Sequence, residues 1–385
     1  MPTDHSKLNT GPYAGLTILD LSHVLCGPFC TRLFADLGAR VIKVERPKIG
    51  DDTREFGPFL NGKSVYFSFI NRGKESIALD FRNDDDRKLL IAMVRHADVI
   101  VENFRPGAMD RLRLGYTELS AINPRLIYAS ISGFGQTGPL SQDRAYDTVI
   151  QGFSGIMSVT GFHDGPATRV GTSIADLTAG LFGFAAIASA LYARERTGKG
   201  AKIDVAMLDS MLTLLEHGVM EYVAAGRISE RLGNRHPFIT PFDTFRSADD
   251  AFIICAGDDE LFKRMCEAIG MPGLAGDRLF ATNTDRTANH AALKQALESV
   301  FVTKPSSHWL DLIRKAGVPC GPIHTVAEAI EHPQTMARNM IIEAGGIKMP
   351  GNPLKIAGYD DPATRPAAPE LDADGERIRK EFAGG

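Results

Sequence analysis

Asp176 follows Gly171-Thr-Ser-Ile-Ala and stands directly before an apolar run, 177–192, whose composition predicts a helix. An acid in that place has two readings. It is either an N-cap carboxylate that satisfies the orphan N–H groups of the helix start, or a nucleophile held near the positive end of the helix dipole. The second role needs no general base, because an aspartate of ordinary pKa, about 3.9, is already ionised at neutral pH. His23 and Cys26 pose a similar choice between a thiol and base at a helix start and a small buried hydrophobe beside an unrelated histidine, and no Asn or Asp partner is placed by the sequence. Gly133, Gly135 and Gly138 spell G-x-G-x-x-G directly after a strand, where a dinucleotide fingerprint belongs. Pro139 follows at once and the next helix starts only near Tyr146, so a glycine turn lining a site fits better than a pyrophosphate cradle. Glu45 ends the second strand, where a nicotinamide ribose would be held, but the preceding turn has one glycine and a proline. Arg46 beside it offers a planar fork for a phosphate or a surface salt bridge. The ten histidines form no metal-binding spacing, so no metal is expected.

These residues need elements to hold them. Short β-branched runs at 16–21, 41–44, 76–80, 99–102, 126–131 and 202–205 alternate with helical stretches such as 29–37 and 85–94. That is the rhythm of βαβ units in an open, mostly parallel α/β sheet with helices on both faces. A second apolar helix is expected over 208–224, followed by a polar Gly/Pro/His segment, 226–241, that marks a domain boundary. Beyond it a strand at 252–255 and a helix at 261–269, ended by Gly270, predict a small α+β domain. The tail from Pro350 reads as a surface wrap with one charged helix at 375–382.

At 385 residues the chain has room for two domains and a sizeable core. Forty-three basic against forty-seven acidic side chains give a net charge of −4, which argues against nucleic-acid binding while leaving room for a local basic pocket. Five cysteines, an odd number without a zinc spacing, suit a reducing, cytoplasmic compartment. The polar start, 1–13, lacks the apolar core of a signal peptide, and the longest apolar stretch, 177–193, is expected to be a core helix that falls short of a membrane span.

Taken in order, the motifs resemble the class III CoA-transferase (CaiB/BaiF) family nearly end to end. The residues that carry the likeness are Leu16-Thr-Ile-Leu-Asp-Leu-Ser-His-Val, Cys26-Gly-Pro-Phe, Leu37-Gly-Ala-Arg-Val-Ile-Lys-Val-Glu-Arg-Pro, Gly50-Asp-Asp-Thr-Arg and Asn71-Arg-Gly-Lys-Glu-Ser-Ile-Ala. Further on stand Asp98-Val-Ile-Val-Glu-Asn-Phe-Arg-Pro-Gly, Ser132-Gly-Phe-Gly-Gln-Thr-Gly-Pro, Tyr146-Asp, Gly171-Thr-Ser-Ile-Ala-Asp and Gly317-Val-Pro-Cys-Gly-Pro-Ile.

The resemblance implies a CoA-transferase that moves CoA between a short-chain or dicarboxylic acyl-CoA and a small carboxylate. Asp176 would be the covalent carrier, and no cofactor is implied beyond CoA itself as a thioester substrate. It implies CoA contacts at His23, Leu25 and Cys26, at Arg46, at Asn71, Arg72, Gly73 and Lys74, at Asn103, Phe104, Arg105 and Arg111, and at Arg144, Ala145, Tyr146 and Asp147. It also implies a Rossmann-like large domain, 1–225 with 325–385 returning to it, a small domain over 226–324, and an interlocked homodimer with no nucleic-acid or membrane partner. Racemases of the same family carry His where Tyr146 stands, and a phenol of pKa near 10 is a poor base at neutral pH, so transfer is favoured over α-proton exchange. A nicotinamide oxidoreductase and a non-catalytic CoA-binding protein are the rivals from other classes. The segment 226–241 lacks the glycine run of formyl-CoA:oxalate transferases, and Leu25 replaces their Gln, which points away from formyl and oxalate. The look is closer to succinyl-CoA:dicarboxylate enzymes, with Arg54 or Arg169 as the extra cation for a dicarboxylate.

Overall fold

The computed structural model describes residues 11–383, and in it the chain divides into two compact units. The larger holds residues up to Met157, Arg169–Arg227, and the chain from His332 onward; the smaller holds Ser158–Thr168 and Ile228–Glu331.

Six strands build the larger unit's sheet: β1 (Thr17–Asp20), β2 (Arg40–Glu45), β3 (Glu75–Ala78), β4 (Val99–Glu102), β5 (Ile127–Ser132) and β6 (Ala201–Ala206). All neighbours are parallel, in the order β3-β2-β1-β4-β5-β6, with Ile18 opposite both Val41 and Val99. Parallel strands are buried on both faces, which is why they read as continuous apolar runs, and their side chains alternate between two cores. Ile18, Val41, Val99, Ile127 and Ile131 point to one core; Leu19, Ile42, Ile77, Ile100 and Tyr128 point to the other. The order reverses between β1 and β4, and the crevice outside the carboxyl ends of those strands is where open α/β sheets bind ligands.

The helices of this unit include α1 (Cys26–Asp36), α2 (Val65–Asn71), α3 (Asp84–Val94), α4 (Asp147–Ser154), α5 (Ile174–Thr197), α6 (Met207–Leu214) and α7 (Glu216–Ala225). Asn83 caps α3 through the N–H groups of Asp85 and Asp86, and an acidic first turn follows, as the charge pattern predicts. Helix α5 lies against α1 and β5 so closely that a Cβ at Gly180 would stand 2.7 Å from the Cys26 carbonyl oxygen, and one at Gly183 2.8 Å from Ile131. By length and apolarity α5 is in fact long enough to cross a membrane, a correction to the shorter span expected. Ala179, Gly180, Gly183 and Ile187 are nevertheless buried inside this unit.

Two other expectations change. The helix expected over 208–224 is broken at Leu215, where Leu215 N–H closes a tight turn on Leu212 O and Val219 N–H starts the next helix on Leu215 O. The tail is more than a wrap: Ile378 and Phe382 of the C-terminal helix, Gly375–Phe382, belong to the core on one face of the sheet. Ahead of that helix, Asp374 accepts the Ser76 N–H (3.0 Å) and Asp372 the Ala78 N–H (2.8 Å), so carboxylates cover the open edge of β3.

The smaller unit has an antiparallel three-stranded sheet in which Ala251–Cys255 lies between Phe242–Arg246 and Cys320–Pro322. Its core gathers Phe245, Phe252, Phe262, Phe301 and Trp309, whose indole N–H donates to Phe301 O at 2.7 Å.

Candidate functional site

The loops that leave β1, β4 and β5 meet at the reversal point and enclose a cleft of ≈ 290 Å³. The structure brings His23, Leu25, Cys26, Asn103, Phe104, Arg105, Arg144, Ala145, Tyr146 and Asp176 onto its wall. Asn103 ties two of these loops together: it accepts the His23 N–H and donates to His23 O, both at 2.8 Å. Phe104 packs edge-on against the His23 ring, with centroids 4.7 Å apart. The glycine turn lines the same cleft, and a Cβ at Gly133 would fall 2.6 Å from the Ala145 Cβ, so glycine is what lets the two loops close up.

Asp176 is the third residue of α5, inside its first turn, and Ser173 rather than Asp176 holds the N-cap position without a side-chain bond. The capping expectation for Asp176 therefore fails. Asp147, the first residue of α4, does that work: one oxygen accepts the Ala175 N–H at 2.9 Å and the other the Gln151 amide at 2.7 Å. The expectation that Asp176 has an ordinary pKa fails as well. Burial, and then the charge of Asp147, push its carboxyl up to about 7, against a hydrogen bond from the Cys26 thiol that holds it down. A carboxylate this poorly solvated is a better nucleophile than one in water, because little hydration has to be shed before it attacks.

The thiol reading of Cys26 loses support on the same grounds, since burial and the nearby Asp176 push that thiol up to about 12. His23 is driven down by burial and Lys43, which keeps its imidazole neutral at pH 7.

Seven predicted residues lie outside this wall. Asn71, Arg72, Gly73 and Lys74 do not reach the cleft. Lys74 is buried and donates to Asp20, Pro28 O and Asn71 at 2.8–2.9 Å; Arg72 is buried in a two-bond pair with Asp36; and the Gly73 N–H is held by Ala367 O. The donors of this segment are thus engaged inside the fold rather than turned to the cleft. Arg111 is exposed at the end of a short helix, Ala108–Arg111, away from the cleft wall. Asp147 lies behind the wall and acts on the helix that carries Asp176.

Arg46 belongs to a second groove, of ≈ 580 Å³, that shares His23 and Phe104 with the first. Its apolar lining is Val44, Ile49, Leu79, Phe81 and Leu112; its cations are Lys48, Arg46, which pairs with Asp52, and Arg82, which pairs with Asp80, and the carboxylates of Glu45 and Asp80 line it as well. The segment Leu79, Asp80, Phe81 and Arg82 was missed, although a strand expected at 76–80 already places it at a carboxyl end. Tyr66 on α2 was missed too; burial and the charges of Asp176, Asp147 and Asp51 push its phenol up to about 12, which keeps it a proton donor. Arg54 is no free cation for a dicarboxylate: it pairs with Glu45 at 2.7 Å and stacks on Phe67. Arg169 is exposed and donates to the adjoining Val170 O. Among the described residues no group of three or more His, Cys, Asp or Glu is placed to hold a metal ion.

Comparison with known proteins identifies the family. A family model described as CoA-transferase family III matches residues 13–375. An acetyl-CoA:oxalate CoA-transferase of Acetobacter aceti is 59% identical over 374 residues, spanning 97% of this chain and 96% of the relative. A succinyl-CoA:glutarate CoA-transferase of Mus musculus is 37% identical over 361 residues, spanning 92% and 83%. Among solved structures, a CaiB/BaiF family protein from Brucella suis is 42% identical, covers 97% of this chain and 100% of its own, and superposes with a TM-score of 0.87.

Proposed function

This chain belongs to CoA-transferase family III, and on that premise we propose that it moves CoA from a short-chain or dicarboxylic acyl-CoA to a small carboxylate with Asp176 as the covalent carrier. The observation that carries the reading is the placement of Asp176, poorly solvated and next to a helix start, in one cleft with Arg105 and Arg144. A carboxylate oxygen of Asp176 attacks the thioester carbonyl carbon, the C–S bond breaks, and a mixed anhydride forms as CoA thiolate leaves. The thiolate attacks the aspartyl carbonyl, releasing the donor acid and leaving an aspartyl-CoA thioester. The acceptor carboxylate then displaces the thiolate to form a second anhydride, and the thiolate takes the acceptor's acyl group, which frees Asp176. Each step exchanges bonds of similar energy, and each passes through an oxyanion that N–H donors stabilise.

Arg105 and Arg144 suit the phosphates of CoA, and the second groove, with Leu79 and Phe81 beside Arg46, Lys48 and Arg82, suits its adenosine end. Tyr66 supplies a phenol donor on the Asp176 side for an acyl or acceptor oxygen. No cofactor beyond the CoA thioester enters this scheme. Oxalate, set aside on the sequence, returns among the acceptors because a relative at 59% identity is named for it. The lack of a glycine run and the Leu25 exchange therefore do not exclude that acid.

Leu181, Phe182 and Tyr192 on α5 and Met220, Tyr222 and Val223 on α7 are exposed apolar side chains of the kind a second copy would cover, which supports the homodimer reading. Five free cysteines fit a reducing, cytoplasmic compartment.

The test is peptide mass spectrometry after incubation with acetyl-, succinyl- and formyl-CoA. A CoA or acyl adduct on the Asp176 peptide, absent in Asp176→Ala, is expected and names the donor. Exchange of CoA without an adduct, or activity retained in the variant, removes Asp176 from the carrier role. Wash-out of the α-proton without CoA exchange selects the racemase reading.

A further inference from the structure

The turn between β1 and α1 is held in an unfavourable shape. Val24, which lines the cleft, has φ 64°, a left-handed conformation that a β-branched residue rarely adopts. Such a residue persists only where its surroundings over-determine it. Here they do, on both sides of the peptide chain. The Asp51 carboxylate accepts the Val24 N–H at 3.2 and 3.3 Å. Lys43 donates to Ser22 O at 2.9 Å and pairs with Asp51 at 2.9 Å, and both side chains are almost wholly buried. Thr53 fixes the same carboxylate through its N–H (2.9 Å) and hydroxyl (2.7 Å). Immediately after Val24 the chain enters α1 at Leu25 and Cys26, whose N–H groups make no i→i−4 bond and which line the cleft beside Asp176.

We propose that Asp51, braced by Lys43, is a positioning residue for CoA transfer: it holds Val24 at positive φ so that the start of α1 meets the acyl group carried by Asp176. The proposal rests on the transfer reading of the cleft. Asp51 touches no reacting atom, and it acts through the Val24 backbone.

Glycine adopts positive φ freely, so Val24→Gly removes the need for the brace. The test is the cycle of Asp51→Asn, Val24→Gly and the double variant, read by steady-state transfer with the wild type's own donor and acceptor, by calorimetric binding of CoA, and by amide exchange of residues 22–26. Asp51→Asn is expected to lower kcat/KM by about 10- to 100-fold, the size of the strain it stops opposing, and to speed exchange of the turn. Val24→Gly alone loses about threefold through added backbone freedom. In the V24G background, Asp51→Asn is expected to cost less than threefold further. An equal loss in both backgrounds, or wild-type kinetics in Asp51→Asn, overturns the proposal. Should Asp51→Asn not fold, Thr53→Val loosens the same carboxylate while keeping the Lys43 pair, and its smaller loss must likewise vanish in the V24G background. A wild type that binds CoA but forms no adduct removes the carrier reading, and CoA affinity and amide exchange across the cycle then decide this one. A wild type that binds no CoA overturns both.

Discussion

Replacing Asp176 by Asn is expected to stabilise the protein while abolishing transfer. The carboxyl is held at about 7 against an ordinary 3.8, chiefly by burial. A carboxyl whose pKa is raised on folding binds more protons in the folded than in the unfolded chain between those two values. Its cost to stability is therefore absent below the lower value, grows through the window, and is complete above the upper one. For a rise of this size the cost above pH 7 is about 4 kcal/mol, and at pH 5 less than half of that, about 1.7 kcal/mol. Asn has nearly the same shape and no charge to lose. Urea unfolding followed by far-UV circular dichroism at pH 5 and pH 8 measures the difference. Trp309 is the only tryptophan and belongs to the smaller unit, so its fluorescence does not follow the unit that carries Asp176. The gain from Asp176→Asn is expected to be about 2–3 kcal/mol larger at pH 8 than at pH 5. A gain that is the same at both values, or a loss that grows with pH, refutes the reasoning that the fold holds the Asp176 carboxylate against its own solvation.

The same carboxyl sets the pH profile: adduct formation should rise with pH and level off above about 7, and Cys26→Ala, which removes the bond that holds Asp176 down, should move that limb upward by about 0.7 in pH, the equivalent of a ~1 kcal/mol bond. Stopped-flow mixing with the donor thioester reads both. Arg105→Ala and Arg144→Ala should each raise KM for the acyl-CoA about tenfold with little change in kcat, and the effect should shrink between 20 mM and 500 mM salt as the phosphate attraction is screened. Arg72→Met should act in the opposite sense, costing about 3 kcal/mol or more of stability by leaving Asp36 short of its buried partner, while the folded enzyme keeps its KM for acyl-CoA.

The six strands were readable because a parallel strand buried on both faces cannot hide its apolar run, and the reversal of their order then fixes where a ligand sits. Asp176, Arg105 and the turn at His23 followed from motifs. What escaped has a common cause. Asn71 to Lys74 form a contiguous motif beside the right strand, but they precede β3, whereas the cleft gathers loops that follow strands; Leu79 to Arg82 come after it and line the groove. The raised carboxyl of Asp176 depends on Asp147, 29 positions earlier, reaching the first turn of α5 through the Ala175 N–H. Nothing local to either residue announces that contact. The break at Leu215 has no proline to mark it, and Gly218, three residues on, sits inside the second helix rather than at the break.

The cover on the β3 edge has a consequence for how the chain is made. Ser76 and Asp374 are 298 positions apart, and Arg40 pairs with Glu381 across 341. At roughly 5–20 residues per second a ribosome needs about 15–60 s to span the first of these gaps. For all that time the nascent strand, its row of N–H groups open, has no native neighbour on that side and is a template for pairing with another chain. A chaperone holdase bound during elongation, or slower translation of the codons for residues 336–385, should therefore alter the soluble yield of this enzyme. Truncation just before Asp372 should send the product to inclusion bodies, although every residue that lines the cleft has already been made.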